Sequence, residues 1–299
     1  MSALLDRLAA HAPAIWLETA PPRGVAVESL LGRLEAVSGE IDAINLVDNA
    51  LGRVKMSGLV FAAMLKARMD VAVALNFSCR DRNRFALKAD LLGAGALGIE
   101  GVVALRGDKL ADDSAMGAKQ VHDLDPFGLL SLIADLNRGD TGEGRRLLKT
   151  LPRLVPGVVG NPNRKALDRE LELLDRKAAA GARFVVTQPV FAPEAAYRFV
   201  ARARAAGLYV VLGVLPIKRP SMAEYLKKQI QDLREAHQHL DHYEGLSEED
   251  ARRSSIERNI ALMRALAGEV AGFNIMSGGG PSLAIELALE WRRQTRAAE

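Results

Sequence analysis

The 299-residue chain has one cysteine, two tryptophans and five histidines, and aromatic residues make up only 5% of it. A lone Cys79 can close neither an internal disulfide nor a cysteine-based zinc site, which fits a reducing compartment. No stretch approaches the roughly 20 uncharged residues that a membrane helix needs. Residues 1–11 carry Asp6 and lack the long apolar core of a secretory leader, so a cytoplasmic location is expected. Forty Lys+Arg stand against 37 Asp+Glu, a formal charge of +3, with no basic stripe behind the pI near 9.0. Phosphate backbones are recognised through such stripes, so neither nucleic acid nor membrane is expected as a partner. A G-x-S-x-G nucleophile elbow is also missing.

What is present is ordinary core-forming material: 49% of residues are hydrophobic and 26% charged. Short aliphatic runs at 14–19, 43–47, 71–76, 101–106, 154–159, 184–188, 209–214 and 272–276 read as strands. Amphipathic stretches at 27–38, 56–68, 82–96, 126–137, 165–180, 193–206 and 282–295 lie between them and read as helices. Eight strand–helix units predict an α/β fold, a (β/α)8 TIM barrel, with residues 1–299 as a single domain. Strand count alone does not show closure, so an open doubly wound sheet is the competing architecture. Gly181 and Gly207 sit where helices must turn back into strands. Residues 218–267 are longer and more polar than one helix requires, which predicts an insertion or bent double helix before the last strand.

Several patterns weigh little. Gly93-Ala94-Gly95-Ala96-Leu97-Gly98 fits G-x-G-x-x-G but follows a helix and precedes a strand, the reverse of the dinucleotide-binding order, and reads as a helix exit. His237, His239 and His242 lie on so polar a segment that a solvated helix surface outweighs a metal site. Cys79 beside Arg80 and Arg82 has no identifiable base, so packing or ligand lining outweighs a nucleophile. The Gly278-Gly279-Gly280-Pro281-Ser282 turn is equally an anion cradle or a tight turn with a serine N-cap.

Barrel chemistry lies where strands enter their following loops. Glu18 closes the first strand, Asp48 and Asn49 follow the second, Asn76 the third, Arg106-Gly107-Asp108 the fourth, and Gln188 closes the sixth. Any one of these alone is as well read as a turn residue; together they mark one rim. Glu18 follows Ile15-Trp16-Leu17, and desolvation beside those apolar walls raises a carboxyl toward the range of a general acid. Asp108, next to Gly107, is placed to stay ionised beside Arg106, so the two carboxyl groups suit different roles.

These residues resemble the methylenetetrahydrofolate reductase family over nearly the whole chain. The resemblance is carried by Glu18-Thr19-Ala20-Pro21-Pro22-Arg23 (an E-x-x-P-P-[KR] opening), Ala104-Leu105-Arg106-Gly107-Asp108, Arg176-Lys177-Ala178-Ala179-Ala180-Gly181-Ala182, Thr187-Gln188-Pro189-Val190-Phe191 and Gly213-Val214-Leu215-Pro216. It implies a flavoprotein of one-carbon metabolism and methionine biosynthesis. Its FAD would take hydride from NADH or NADPH and deliver it, by a ping-pong relay, to 5,10-methylenetetrahydrofolate. It also implies Glu18 and Asp108 as catalytic residues, and Glu18, Asp108 and Gln188 as folate contacts. For the cofactor it implies Asp48, Asn76, Arg106, Gly107, Asp108, His122, Glu170 and Lys177; for Lys177 alone a solvated helix face is the better reading. No metal is implied, and a homo-oligomer is compatible.

The chain departs from the family pattern in places. Asn76-Phe77-Ser78-Cys79 stands where relatives carry H-[LM]-T-C, Val47-Asp48-Asn49 where many have a threonine and an aromatic, His122 for a frequent tyrosine, and Pro220 for a stacking aromatic. Asp48-Asn49 with Cys79-Arg80-Asp81-Arg82-Asn83 looks more like the branch fused to homocysteine methyltransferases. Two rival functions stay open at this point: a non-redox barrel lyase or aldolase, and a folate-binding accessory subunit without turnover of its own.

Overall fold

β-branched and aliphatic runs buried on both faces make parallel strands, and eight of them form the frame: β1 (Ala14–Thr19), β2 (Ala43–Leu46), β3 (Ala72–Ser78), β4 (Gly101–Leu105), β5 (Val155–Gly160), β6 (Phe184–Pro189), β7 (Tyr209–Val214) and β8 (Gly272–Ile275). In this computed structural model, which describes residues 2–110, 117–142, 149–229, 236–278 and 280–297, they pair in sequence order as a closed parallel barrel. Closure is made by β1 on β8, with Ala14 opposite Gly272 and Leu17 opposite Ile275. The open-sheet alternative is thereby removed.

The helices are α1 (Ala3–Leu8), α2 (Glu28–Glu35), α3 (Gly58–Lys66), α4 (Arg84–Ala96), α5 (Pro126–Asn137), α6 (Leu167–Ala179), α7 (Pro193–Ala205), α8 (Pro220–Gln229), α9 (His237–Asp241), α10 (Glu248–Leu266) and α11 (Ser282–Arg296). α4, α5 and α10 start on side chains that satisfy free amides. Asn83 accepts from Ala86 N–H at 2.9 Å, Asp125 from Gly128 N–H at 2.8 Å and Ser247 from Asp250 N–H at 3.0 Å. Gly98, Gly181 and Gly207 take φ of +69°, +101° and +79° just past α4, α6 and α7, so the Gly93–Gly98 run is a helix exit.

Three sequence expectations change. β3 runs on to Ser78, because Phe77 and Ser78 pair with Ala104 and Leu105, so Asn76 lies inside a strand rather than after it. Among the described residues of the 218–267 segment lie three helices, α8, α9 and α10, built around Leu215, Ile217, Leu226, Leu240, Tyr243 and Ala251. In the last βα turn, Gly279 lies outside the described residues. Ser282 is the first residue of α11, behind a Pro281 that makes no side-chain cap, so the serine N-cap reading fails.

Inside the barrel the lower end is apolar. Trp16 and Phe184 are fully buried and meet edge to face, with ring centroids 5.5 Å apart. Gly157 makes room for them, since a Cβ there would lie 2.2 Å from the Phe184 ring. α1 plugs this end with Leu4 and Leu8. Glu100 anchors the plug by accepting from Ser2 Oγ at 2.5 Å and Leu4 N–H at 2.8 Å.

Candidate active site

The opposite end, where strands give way to βα loops, is polar. One cavity of about 420 Å³ is lined by Glu18, Asn45, Asp48, Asn76, Arg106, Gly107, Asp108 and Gln188, among others. A second, of about 580 Å³, is lined by Arg106, Phe127, Asn161, Arg164, Glu170, Lys177 and Gln188 with apolar Ala104, Pro126, Val159 and Leu173. Arg106, Val159 and Gln188 line both, so the cavities adjoin. Of the residues expected to contact cofactor or substrate, His122 lines neither, and Asn49 of the strand-exit set also stays out of both linings. The His122 N–H is tied to Cys79 O at 3.2 Å and its ring meets Gln120 at 3.0 Å, which holds it outside the mouth.

Glu18 is the penultimate residue of β1 and half-buried. Burial pushes its carboxyl up to about 7, against the lowering effect of a 2.7 Å hydrogen bond that Oε2 accepts from Asn274 Nδ2. Such a group holds its proton near neutrality and can give it up there. Asn274 and Asn45 are buried asparagines in the strands beside β1 that the sequence did not single out. A signal was there: each is one polar residue in an aliphatic strand, Ala-Ile-Asn-Leu and Gly-Phe-Asn-Ile.

The other carboxylates are engaged differently. Asp48, nearly buried, accepts from Arg82 Nη1 at 2.5 Å and from Ser78 N–H at 3.0 Å, so it braces β2 against β3. Asp108 accepts from Leu51 N–H at 2.6 Å rather than pairing with Arg106, for which no ion-pair partner occurs among the described residues. The buried Arg80 sets this geometry. Its guanidinium is held by Asp81 at 2.6 Å and donates to Asp108 O at 2.9 Å and Asn49 O at 3.3 Å, clamping the β2 and β4 loops together. The clamped loop carries two non-glycine residues in the left-handed region, Asn49 at φ +44° and Leu51 at φ +56°.

In the second cavity Lys177 is buried rather than solvated. Nζ donates to Val159 O at 2.7 Å, 3.8 Å from Glu170, and burial lowers its pKa, with Glu170 opposing. Glu170 is itself buried; it accepts from Asn161 N–H at 3.2 Å and pairs with Arg164 at 3.3 Å. Arg106, Arg164 and Lys177 therefore bring three cations to one cavity that holds a single carboxylate, Glu170, and has apolar walls elsewhere. Arg164 carried no signal in the sequence beyond its place after the fifth strand.

Cys79 is fully buried, and burial with the nearby Asp125 charge pushes its thiol up to about 11, which leaves it a packing residue. His239 meets Arg258 at 3.4 Å and His242 meets Ser254 at 2.6 Å. No helix among the described residues is long and apolar enough to cross a membrane.

Residues 3–276 match the family described as Methylenetetrahydrofolate reductase. The chain belongs to that family. A 5,10-methylenetetrahydrofolate reductase of Salmonella typhimurium is 27% identical over 210 residues, an alignment that covers 68% of this chain and 64% of the relative. The chain thus matches less than two thirds of that relative's length. Among solved structures, an uncharacterized Clostridium thermocellum protein that binds two copies of 5-methyl-5,6,7,8-tetrahydrofolic acid superposes with a TM-score of 0.68. It has 16% identity over 100% of both chains. DmoA from Hyphomicrobium sulfonivorans follows the same fold, with a TM-score of 0.59 and 10% identity over 96% of this chain and 89% of its own. These likenesses establish the methylenetetrahydrofolate reductase family and the barrel.

Proposed function

We propose that the chain is a flavin-dependent oxidoreductase interconverting 5,10-methylenetetrahydrofolate and 5-methyltetrahydrofolate with NADH or NADPH, by ping-pong hydride transfer. The observation that carries this reading is a carboxyl poised near pH 7 on a cavity that adjoins a second, cation-lined one. Family membership supplies the substrate class, and the folate-binding barrel from Clostridium thermocellum is in keeping with it. In the cell the reading places the chain in the cytoplasm, and it allows a homo-oligomer.

The second cavity fits FAD by its donor chemistry. Arg106, Arg164 and Lys177 suit a pyrophosphate, and Phe127, Pro126 and Leu173 offer apolar surface for an aromatic system. Asn76, Asp48 and Gly107 line the adjoining cavity, where the ring system would reach the folate. When bound, FAD supplies a two-electron carrier between the nicotinamide and the folate carbon. The chain's own residues do the rest. Glu18 protonates folate N10, which opens the five-membered ring and leaves an iminium carbon ready for hydride. Asp108 and Gln188 orient the pterin by accepting and donating hydrogen bonds, and Asp108 exchanges its Leu51 N–H partner for a pterin N–H. In the reverse direction Glu18 takes the N10 proton back.

A visible spectrum during anaerobic titration tests this. The purified protein, supplied with FAD, should be yellow, bleach with a reduced nicotinamide and recover colour with methylenetetrahydrofolate. Failure to bind FAD at all would remove the redox reading and leave the lyase or aldolase and the folate-binding accessory subunit. Flavin reduction without reoxidation by any folate would remove the substrate.

A further inference from the structure

A directional chain of amides runs across the polar end of the barrel. Asn76 Nδ2 donates to Leu46 O at 2.9 Å and to Asn45 Oδ1 at 3.2 Å. Asn45 Nδ2 donates to Asn274 Oδ1 at 3.2 Å, and Asn274 Nδ2 donates to Glu18 Oε2 at 2.7 Å. Amide orientation is normally ambiguous, but a main-chain carbonyl can only accept. Leu46 O therefore fixes Asn76 with its NH2 inward. That choice turns the oxygen of Asn45 toward Asn76, the oxygen of Asn274 toward Asn45, and an N–H toward Glu18.

We propose that Asn76, Asn45 and Asn274 act as positioning residues that reserve Oε2 of Glu18 as an acceptor, so that the transferable proton sits on Oε1, facing the folate cavity. The inference rests on Glu18 being the acid of the proposed reaction. With Oε2 holding an N–H, the proton has one remaining place, and Oε1 has no hydrogen-bond partner among the described residues. The donor also favours the carboxylate, opposing burial, which keeps the acid within reach of neutrality. Few charges compete with it. β2 and β8, the strands flanking β1, have no ionisable residue. α11 packs outside β1 and turns Arg292 to Asp42 and Glu40 O at the far end. Across the cavity stand Asp48, held by Arg82, Asp108, held by Leu51 N–H, and Arg106.

The test reads Glu18 directly and needs no folate. An infrared pH titration identifies the protonated Glu18 carbonyl band as the one lost in Glu18→Gln. In the wild type this band should titrate near pH 7. In Asn274→Leu its midpoint should rise by about one pH unit or more, the effect of removing a charge-assisted hydrogen bond. Asn45→Leu should raise it less, and Asn76→Leu least. An unmoved midpoint in a folded Asn274→Leu protein overturns the proposal. Should these variants not fold, the wild type still decides: side-chain 15N–1H resonances of Asn274 should shift with the Glu18 midpoint, followed by Asn45 and Asn76 with declining amplitude. Immobile resonances overturn the relay as well. Loss of folate turnover with the titration as expected would sink the proposed function and leave the relay standing; the opposite pair of results would sink the relay alone.

Discussion

Trp16 and Glu18 are two residues apart on one face of β1, yet they end in opposite environments. The same step recurs on three other strands: Ala43 to Asn45, Ala74 to Asn76 and Gly272 to Asn274. Two residues of strand advance about 6.6 Å, so one barrel interior holds an apolar layer beneath a polar one. In the lower layer Trp16 packs on Phe184 over the α1 plug, among Ala, Val and Leu side chains. In the upper layer each buried amide is bonded to the next and the chain ends on a carboxyl. Parallel strands with every backbone group paired let a protein change interior chemistry within one repeat. The lower layer serves stability and the upper one chemistry, and each substitution below tests whether that division holds.

The largest effect is expected from Glu18→Gln. Losing a general acid typically costs 10²- to 10⁴-fold, so the folate half-reaction, followed by stopped-flow reoxidation of the flavin, should slow by that factor. Reduction by nicotinamide should change less than about twofold, because no proton from Glu18 enters it. Equal slowing of both halves would mean that the upper layer holds the cofactor rather than the acid. Next comes Trp16→Ala, the same strand one layer down. Truncating a fully buried tryptophan costs about 3–5 kcal/mol, which urea unfolding would read. The rate per folded molecule should stay within about threefold. A large rate loss there would show that the two layers are not separable.

Much of this division was legible from residue order. Periodicity placed all eight strands, and β1 and β7 have the bounds expected, because a fully buried strand must be aliphatic along its whole length. Polar residues at strand exits brought Glu18, Asp48, Asn76, Arg106, Asp108 and Gln188 to one cavity. What stayed hidden depended on closure. Asn45 and Asn274 are 229 positions apart and face each other only because β1 joins β8. A single amide in a strand has no visible direction until the ring is complete. Lys177 reads as a surface lysine on a charged helix, yet it is buried and its ammonium donates to Val159 O, supplied by a different element. His122 stands where relatives often carry a tyrosine, and it lines neither cavity.

The smallest predicted effect is thermodynamic and independent of any ligand. Folded Glu18 holds its proton up to about pH 7, whereas the ordinary value is 4.5. Below about pH 4.5 both native and unfolded chains are protonated there, and the full contribution to stability is present. Between 4.5 and 7 the unfolded chain releases the proton and the native chain keeps it, so stability falls as pH rises, by up to about 3 kcal/mol. Above 7 the loss is complete. Other groups titrate in the same range, so the readout is the difference between wild type and Glu18→Gln in urea unfolding from pH 4 to 8. That difference should slope only between those limits. Trp16→Phe should keep the slope while lowering the whole curve, because the lower layer sets packing and not the charge state above it. A slope that vanished in Trp16→Phe would mean that the desolvation of Glu18 comes from the tryptophan layer, and the two halves of the barrel would then be one unit.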